Sequence, residues 1–440
     1  MDSFLIQGGQ KLVGTVDVSG AKNAALPILS ACLMARGVST LHGVPRLSDI
    51  DSMIDLLRAL GCRVERQAND TPPAHGGPSL NGPLQVEVTD AARSEAGYDI
   101  VSKMRASISV LGPLLAGRGK AIVSLPGGCA IGDRPVDLHL RGLRKLGAHF
   151  DLDGGNIVGT VDGRLNGRLR GARMYLGGAA GPTVLGTINV MCAAALAEGQ
   201  TVIVGAACEP EVADTAVLLN KMGARITGHG TPEIKIDGVD RLVGCEHKII
   251  PDRIEAATFI IAAAMTDGDL KLTNCNLDHL VAVVDQLENI GVRLEETGSG
   301  VRVTRGDGQL KPVELTTQPY PGFPTDVQAQ LVALLCLADG MSVIGERIFP
   351  ERFLHCGELN RMGAHVRKEG ATAFIHGVNH LQGATVMASD LRASAALVLA
   401  GLVARGTTRI SRVYHIDRGY EKIEQKLNAV GARIERVNEK

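Results

Sequence analysis

The stretch Pro126-Gly127-Gly128-Cys129-Ala130-Ile131-Gly132-Asp133-Arg134-Pro135-Val136-Asp137 concentrates groups that can do chemistry. A thiol sits among three glycines, an arginine follows five residues on, and Asp133 and Asp137 are placed to orient that arginine. A cation at this range lowers a thiol's pKa and favours the thiolate. Such a loop suits an anionic substrate. The same residues also permit a plainer reading, in which the glycines only turn the chain and Cys129 is a small buried apolar residue. The local sequence alone does not choose between the two.

A second set of candidates falls where helices should begin: Lys22-Asn23, Arg105, Gly181-Pro182-Thr183, Asp252-Arg253, Thr325-Asp326 and Asp390-Leu391-Arg392. Helix N-termini favour anions, because their backbone N–H groups are unpaired and the macrodipole is positive there. Thr183 and Asp252 are equally good helix caps. Lys22, Arg105, Arg392 and Arg418 are different. A cation at the positive end of a helix, or in a glycine turn, is locally unfavourable unless an anion joins it, so this set reads as a phosphate or carboxylate site.

The elements that position these residues follow from internal self-similarity. An Ala/Leu-rich helix, a glycine and a short β-branched strand recur six times, with the glycines at Gly37, Gly119, Gly199, Gly268, Gly340 and Gly406. These glycines are expected to be left-handed helix caps. In step with them an LxxLGA-like helix end runs into another strand, as in Leu219-Asn220-Lys221-Met222-Gly223-Ala224 and Leu359-Asn360-Arg361-Met362-Gly363-Ala364. Such units cannot bury their faces alone, so six copies at a spacing of about 70 residues predict two pseudo-symmetric domains of three units each. Most of the unusual residues lie in the loops between strand and second helix, among them the Cys129 loop and Ile348-Phe349-Pro350-Glu351-Arg352. The copy holding Cys129 is a few residues longer than the others, as a mobile lid would be.

Composition narrows the partners. A net charge of -1 gives no overall field for nucleic acid or an anionic membrane, so any anion site is local. With 3% aromatic residues and no Trp, the stacking platforms of single-strand binders are missing, and no nucleic-acid partner is expected. Nine scattered cysteines without a CxxC pair point to a reducing cytoplasm. No zinc spacing, Walker loop or GxGxxG fingerprint occurs, so neither a metal nor a dinucleotide cofactor is expected. Apolar runs stop at about a dozen residues and read as buried helices, not membrane spans.

Several stretches, in order and in phase with the repeat, carry a family resemblance: Ser19-Gly20-Ala21-Lys22-Asn23-Ala24, Met104-Arg105-Ala106-Ser107, Leu125 to Asp137, Pro251-Asp252-Arg253-Ile254-Glu255, Phe323-Pro324-Thr325-Asp326, Asp390-Leu391-Arg392-Ala393-Ser394 and Tyr414-His415-Ile416-Asp417-Arg418-Gly419-Tyr420. Over essentially the whole chain they resemble the enolpyruvyl transferases, and among them the group that acts on UDP-N-acetylglucosamine at the start of peptidoglycan synthesis. The resemblance implies an α/β fold of two inside-out, barrel-like domains of three pseudo-repeats each, with the active site in the interdomain cleft. It places residues 22–249 in one domain and 1–21 with 250–440 in the other.

The resemblance further implies that phosphoenolpyruvate binds Lys22, Arg134, Arg352, Arg392 and Arg418, since two anionic groups need several forked donors. The sugar nucleotide would meet Asn23, Arg105, Thr183, Asp326 and Ile348, with Asp390 among the substrate-binding positions. The sugar 3-hydroxyl attacks C2 of phosphoenolpyruvate as C3 is protonated, and phosphate then leaves. That sequence needs a base near the hydroxyl and an acid near C3. Asp326 is the expected base or hydroxyl-orienting group. Cys129 is the expected acid or covalent partner, with Lys22 competing for the acid role. Fosfomycin sensitivity, and roles in cell-wall biogenesis, cell shape and division, are implied in the same way. The chain departs from the family between Gly177 and Gly186, where a lysine usually precedes the turn and none stands here, so that nucleotide contact does not carry over. The sister enzyme of the shikimate pathway and a non-catalytic paralogue that binds a nucleotide sugar are the competing readings.

Overall fold

The computed structural model describes residues 2–68, 82–125, 136–161, 167–298, 300–306 and 308–438. Cys129 and Arg134 lie outside them. The described residues divide into two compact units, one of residues 2–19 with 251–438 and the other of 20–125 with 136–250.

Among the described residues each unit contains three four-stranded sheets, and these six share one topology. In the fifth copy, the strand that follows the first helix, Met341–Gly345, pairs in parallel with Glu314–Thr316 on one side. On the other side it pairs antiparallel with Thr372–His376, which pairs antiparallel with His365–Glu369. The last copy closes differently. Its third strand is Asp2–Gln7, from the opposite end of the chain, inserted between Thr407–Ser411 and Ile434–Asn438.

The sheets are the outer layer of each unit and the first helices are the core, which inverts the usual order. Helix Arg253–Met265 is buried at every position, and Thr325–Leu335 and Leu391–Val403 at nearly all. Mainly apolar helices belong inside, and these are built mostly from Ala, Leu, Ile and Val, with their charged residues in the first turns. In this unit the second helices are one-sided. Val281–Ile290 buries only Val283, Leu287 and Ile290, and Ile423–Ala429 only Ile423 and Leu427. The other unit repeats the scheme with Lys22–Ala31 and Val184–Ala195 inside and Asp137–Lys145 outside. Among the described residues no helix is long and apolar enough to cross a membrane.

The glycines divide into two groups. All six in the LxxLGA-like turns are left-handed, with φ of 81°, 95°, 105°, 111°, 85° and 110° at Gly61, Gly147, Gly223, Gly291, Gly363 and Gly431. A Cβ at that φ is strained, so the motif keeps its glycine. The first set does not behave as one cap motif: Gly119 is a left-handed helix cap, but Gly268 is not left-handed. At Gly268 the preceding Asp267 takes the positive φ, 50°, and a Cβ on the glycine would stand 2.3 Å from the Leu12 carbonyl oxygen. That glycine answers a close approach instead. In three copies an asparagine in the same turn completes the connection. Asn220, Asn360 and Asn428 each hold both backbone groups of a residue six positions on, Ile226, Val366 and Ile434, at 2.7–2.9 Å.

Candidate functional site

Three of the candidates meet in the unit of residues 2–19 and 251–438. Asp326 is in the first turn of helix Thr325–Leu335 and Arg392 in the first turn of Leu391–Val403. Arg352 comes from the loop after strand Met341–Gly345. Arg352 Nη1 donates to Asp326 Oδ1 at 2.8 Å, and Arg392 Nη2 to Oδ2 at 3.0 Å. The arginine side chains are 5% and 4% exposed, whereas the Asp326 side chain keeps 26%, so the carboxylate has an open edge. Arg352 Nε is buried without an acceptor among the described residues, a donor available to an oxyanion.

Beneath them Gln330 Nε2 donates to Thr258 Oγ1 at 3.2 Å and ties helix Thr325–Leu335 to Arg253–Met265, each residue standing five positions into its helix. Tyr420 locks this layer. Its hydroxyl lies 2.9 Å from Thr258 Oγ1 and accepts from Gln330 Nε2 at 3.1 Å, while its ring carries the Arg392 guanidinium at 5.5 Å from the centroid. Gln330 Nε2 also donates to the Asp326 carbonyl oxygen at 3.0 Å. Arg392 at the positive end of its own helix, and Arg352 bonded to the first residue of another, form an arrangement that can hold an anion.

The electrostatics agree. Burial alone pushes the Asp326 carboxyl up, but the charges of Arg392 and Arg352 and their hydrogen bonds outweigh it and hold the group well below the usual carboxylate range. Burial disfavours the charged form of Arg392, and Asp326, with smaller contributions from Tyr420 and Asp252, raises its pKa nonetheless. Asp326 is therefore a carboxylate wherever the protein is folded near neutral pH.

The other unit carries Lys22, Asn23, Arg105 and Thr183. Lys22 opens helix Lys22–Ala31 and is buried. Its Nζ donates to Asp49 Oδ2 at 3.0 Å, Asp49 standing in the first turn of Ser48–Ala59. The cation that the helix start disfavours thus has an acidic partner. Arg105 begins the 3₁₀ segment Arg105–Val110. Asn189 staples that segment, donating from Nδ2 to the Ile108 carbonyl oxygen and accepting Gly112 N–H on Oδ1, at 2.9 and 2.8 Å. His139 Nδ1 lies 2.9 Å from the same amide nitrogen, and burial pulls that imidazole down to about 4, so it is neutral and accepts there.

Two candidates are engaged in capping. Thr183 accepts Gly186 N–H at 3.2 Å. Asp390 accepts Arg392 and Ala393 N–H at 3.0 and 3.2 Å. Ile348 and Arg418 are half-buried, the first in the loop that delivers Arg352, the second two residues before Tyr420. Among the described residues no cluster of three or more His, Cys, Asp or Glu could hold a metal. Sequence reasoning did not select Glu346, Gln330, Tyr420 or Asp49 as site residues. The only signal for Tyr420 is its place at the end of the Tyr414–Tyr420 motif, and nothing in Gly345-Glu346-Arg347-Ile348-Phe349 marks Glu346 as buried.

Residues 6–427 match the family described as EPSP synthase (3-phosphoshikimate 1-carboxyvinyltransferase). The chain is 53% identical over 439 residues, 100% of both chains, to the UDP-N-acetylglucosamine 1-carboxyvinyltransferase of Nitratidesulfovibrio vulgaris (strain DP4). It is 51% identical over 440 residues, again 100% of both, to the protein of that name from Methylacidiphilum infernorum (isolate V4). Among solved structures, the enolpyruvyl transferase NikO of Streptomyces tendae shares the fold with a TM-score of 0.86 at 23% identity, covering 99% of this chain and 98% of that one. EPSP synthase of Acinetobacter baumannii shares it with a TM-score of 0.74 at 19% identity, covering 100% of both. Matched by that family over residues 6–427 and by relatives at half identity over its whole length, the chain belongs to the enolpyruvyl transferase family.

Proposed function

We propose that the chain transfers the enolpyruvyl group of phosphoenolpyruvate to the 3-hydroxyl of UDP-N-acetylglucosamine and releases phosphate, a step toward peptidoglycan. The observation that carries this reading is the Asp326 carboxylate held between Arg352 and Arg392 with one edge open. The full-length relatives, whose names specify UDP-N-acetylglucosamine, favour this acceptor over shikimate 3-phosphate.

In this reading the arginines take the anionic groups of phosphoenolpyruvate, together with Lys22, Arg134 and Arg418, and Asp326 faces the acceptor hydroxyl. While both guanidiniums bear on it, Asp326 is a poor proton acceptor. Anions of the substrate that occupy the guanidiniums reduce their pull, which raises the basicity of Asp326 when it is needed. The hydroxyl oxygen then bonds to C2 and its proton passes to Asp326, while C3 takes a proton from an acid. Cys129 is our candidate for that acid, with Lys22 the alternative, and both assignments rest on sequence. Loss of a C3 proton and cleavage of the C2–O bond expel phosphate and leave the enol ether. Asn23, Arg105, Thr183, Ile348 and Asp390 are proposed around the sugar nucleotide. The reaction uses no cofactor, and a cytoplasmic setting fits both substrates.

Mass spectrometry of the nucleotide product tests the proposal. UDP-N-acetylglucosamine should gain one enolpyruvyl group for each phosphate released; an unmodified nucleotide after prolonged incubation would refute it.

A further inference from the structure

Glu346 is 1% exposed and follows directly on strand Met341–Gly345, at the head of the loop that delivers Ile348 and Arg352. Its Oε1 accepts from Thr317 Oγ1 at 2.7 Å, from Ile348 N–H at 2.7 Å and from Phe349 N–H at 3.0 Å. Its Oε2 accepts from Thr325 Oγ1 at 2.9 Å. One oxygen thus sets the loop, and the other reaches the first residue of the helix that carries Asp326. A buried carboxylate is tolerated only when its lone pairs are filled, and here four donors fill them.

The direction of the last bond matters. A carboxylate can only accept, so Thr325 donates its single hydroxyl hydrogen to Glu346 and keeps its lone pairs for other partners. Arg352 Nη1 uses one of them, donating to Thr325 Oγ1 at 3.0 Å while it also donates to Asp326 Oδ1 at 2.8 Å. Both hydrogens of that nitrogen are thereby assigned.

We propose that Glu346 is a positioning residue for the transfer reaction, acting through the Thr325 hydroxyl to fix the Arg352 guanidinium beside Asp326. The proposal rests on the reading of Arg352 and Asp326 as groups that handle the substrates. A carboxylate is required because an amide reverses one bond. In Glu346→Gln, either the new N–H₂ faces Thr325, takes one of its lone pairs and leaves the hydroxyl hydrogen without its acceptor and free to turn toward Arg352, or the amide flips and sets N–H₂ against the Ile348 and Phe349 N–H groups. The first case releases the Thr325 hydroxyl that Arg352 bonds, and the second releases the loop that delivers Arg352.

Kinetics and a crystal structure of Glu346→Gln test this together. The expected loss in kcat/KM for phosphoenolpyruvate is about ten- to hundredfold, the equivalent of one charge-assisted hydrogen bond. Thr325→Val should lose a similar factor, Thr325→Ser should stay within a few-fold of the wild type, and Glu346→Gln with Thr325→Val should be no worse than the poorer single variant. In the crystal, Arg352 should have left Thr325 or Asp326. Near-normal kinetics for Glu346→Gln, independent multiplication of the two losses, or an unmoved Arg352 would overturn the proposal. Should Glu346→Gln not fold, Thr325→Val carries the test, and wild-type kinetics or an unmoved Arg352 in it would overturn the proposal. A wild type that makes no enolpyruvyl product would refute the proposed function instead, and the position of Arg352 in the variant crystal is read independently of that outcome.

Discussion

At the scale of the residue, the account turns on Asp326. Asparagine keeps its size but cannot take a proton, so Asp326→Asn should depress kcat on the order of 10²- to 10⁴-fold. Phosphoenolpyruvate should bind at least as tightly as before, because two guanidiniums lose a competing anion. Steady-state kinetics with direct calorimetry of binding separates the two effects. The same pair sets a pH dependence of stability. The folded pKa of Asp326 is depressed, so its contribution is complete above its unfolded value of about 3.9 and is lost only as pH falls through the folded value. The melting-temperature gap between the wild type and Asp326→Asn should stay constant from neutrality to about pH 5 and narrow only below about pH 4. A gap that closes between about pH 7 and about pH 5 would mean that the arginines do not hold the carboxyl down.

Cysteine reactivity gives a second residue-scale expectation. All eight described thiols are pushed up by burial, Cys62 and Cys275 to about 11 and Cys32, Cys192 and Cys356 to about 12, so none competes as a thiolate at neutral pH. Fosfomycin should therefore label the Cys129 peptide ahead of every other. Peptide mapping by mass spectrometry reads this directly. Label spread across several peptides would remove Cys129 from its proposed role.

At the scale of the element, the sixfold repeat was legible because helix ends carry explicit signals: glycine in the LxxLGA turn, a β-branched run after it and acidic or hydroxyl residues at helix starts. The parallel edge strands were not legible. Glu314–Thr316, Thr385–Met387 and Arg173–Tyr175 have three residues each, too few to show a period. Nor could local sequence show Asp2–Gln7 inserting beside Thr407–Ser411, a pairing made across the length of the chain. The site divides the same way. Lys22, Asp326 and Arg392 stand at helix starts, where their charge is informative. Gln330 and Tyr420, 90 residues apart, act only through packing, and Glu346 resembles any surface acid until its burial is known.

Two glycine substitutions separate turn chemistry from helix propensity. Gly291 caps Val281–Ile290 at φ 111°, and a Cβ added there would meet no heavy atom nearer than 3.9 Å, so Gly291→Ala carries backbone strain alone, roughly 1–2 kcal/mol. Gly357 lies inside Leu354–Arg361 with open space around it, so Gly357→Ala should gain roughly 0.5–1 kcal/mol. Denaturant unfolding of both variants should move midpoints in opposite directions. Equal shifts of one sign would contradict the assignment.

At the scale of the whole molecule, the candidate residues are shared between two units with separate cores. Lys22, Asn23, Arg105 and Thr183 belong to one; Asp326, Ile348, Arg352, Asp390, Arg392 and Arg418 belong to the other. With a net charge of only -1, the molecule as a whole offers an anionic substrate no field, so any attraction must come from local groups.

The most direct test of the account is phosphate release from phosphoenolpyruvate by the purified wild-type protein, with UDP-N-acetylglucosamine and shikimate 3-phosphate offered separately. Sustained, catalytic release with the nucleotide sugar and none above background with shikimate 3-phosphate is the expected result. Turnover with shikimate 3-phosphate alone, or with neither acceptor, would contradict it.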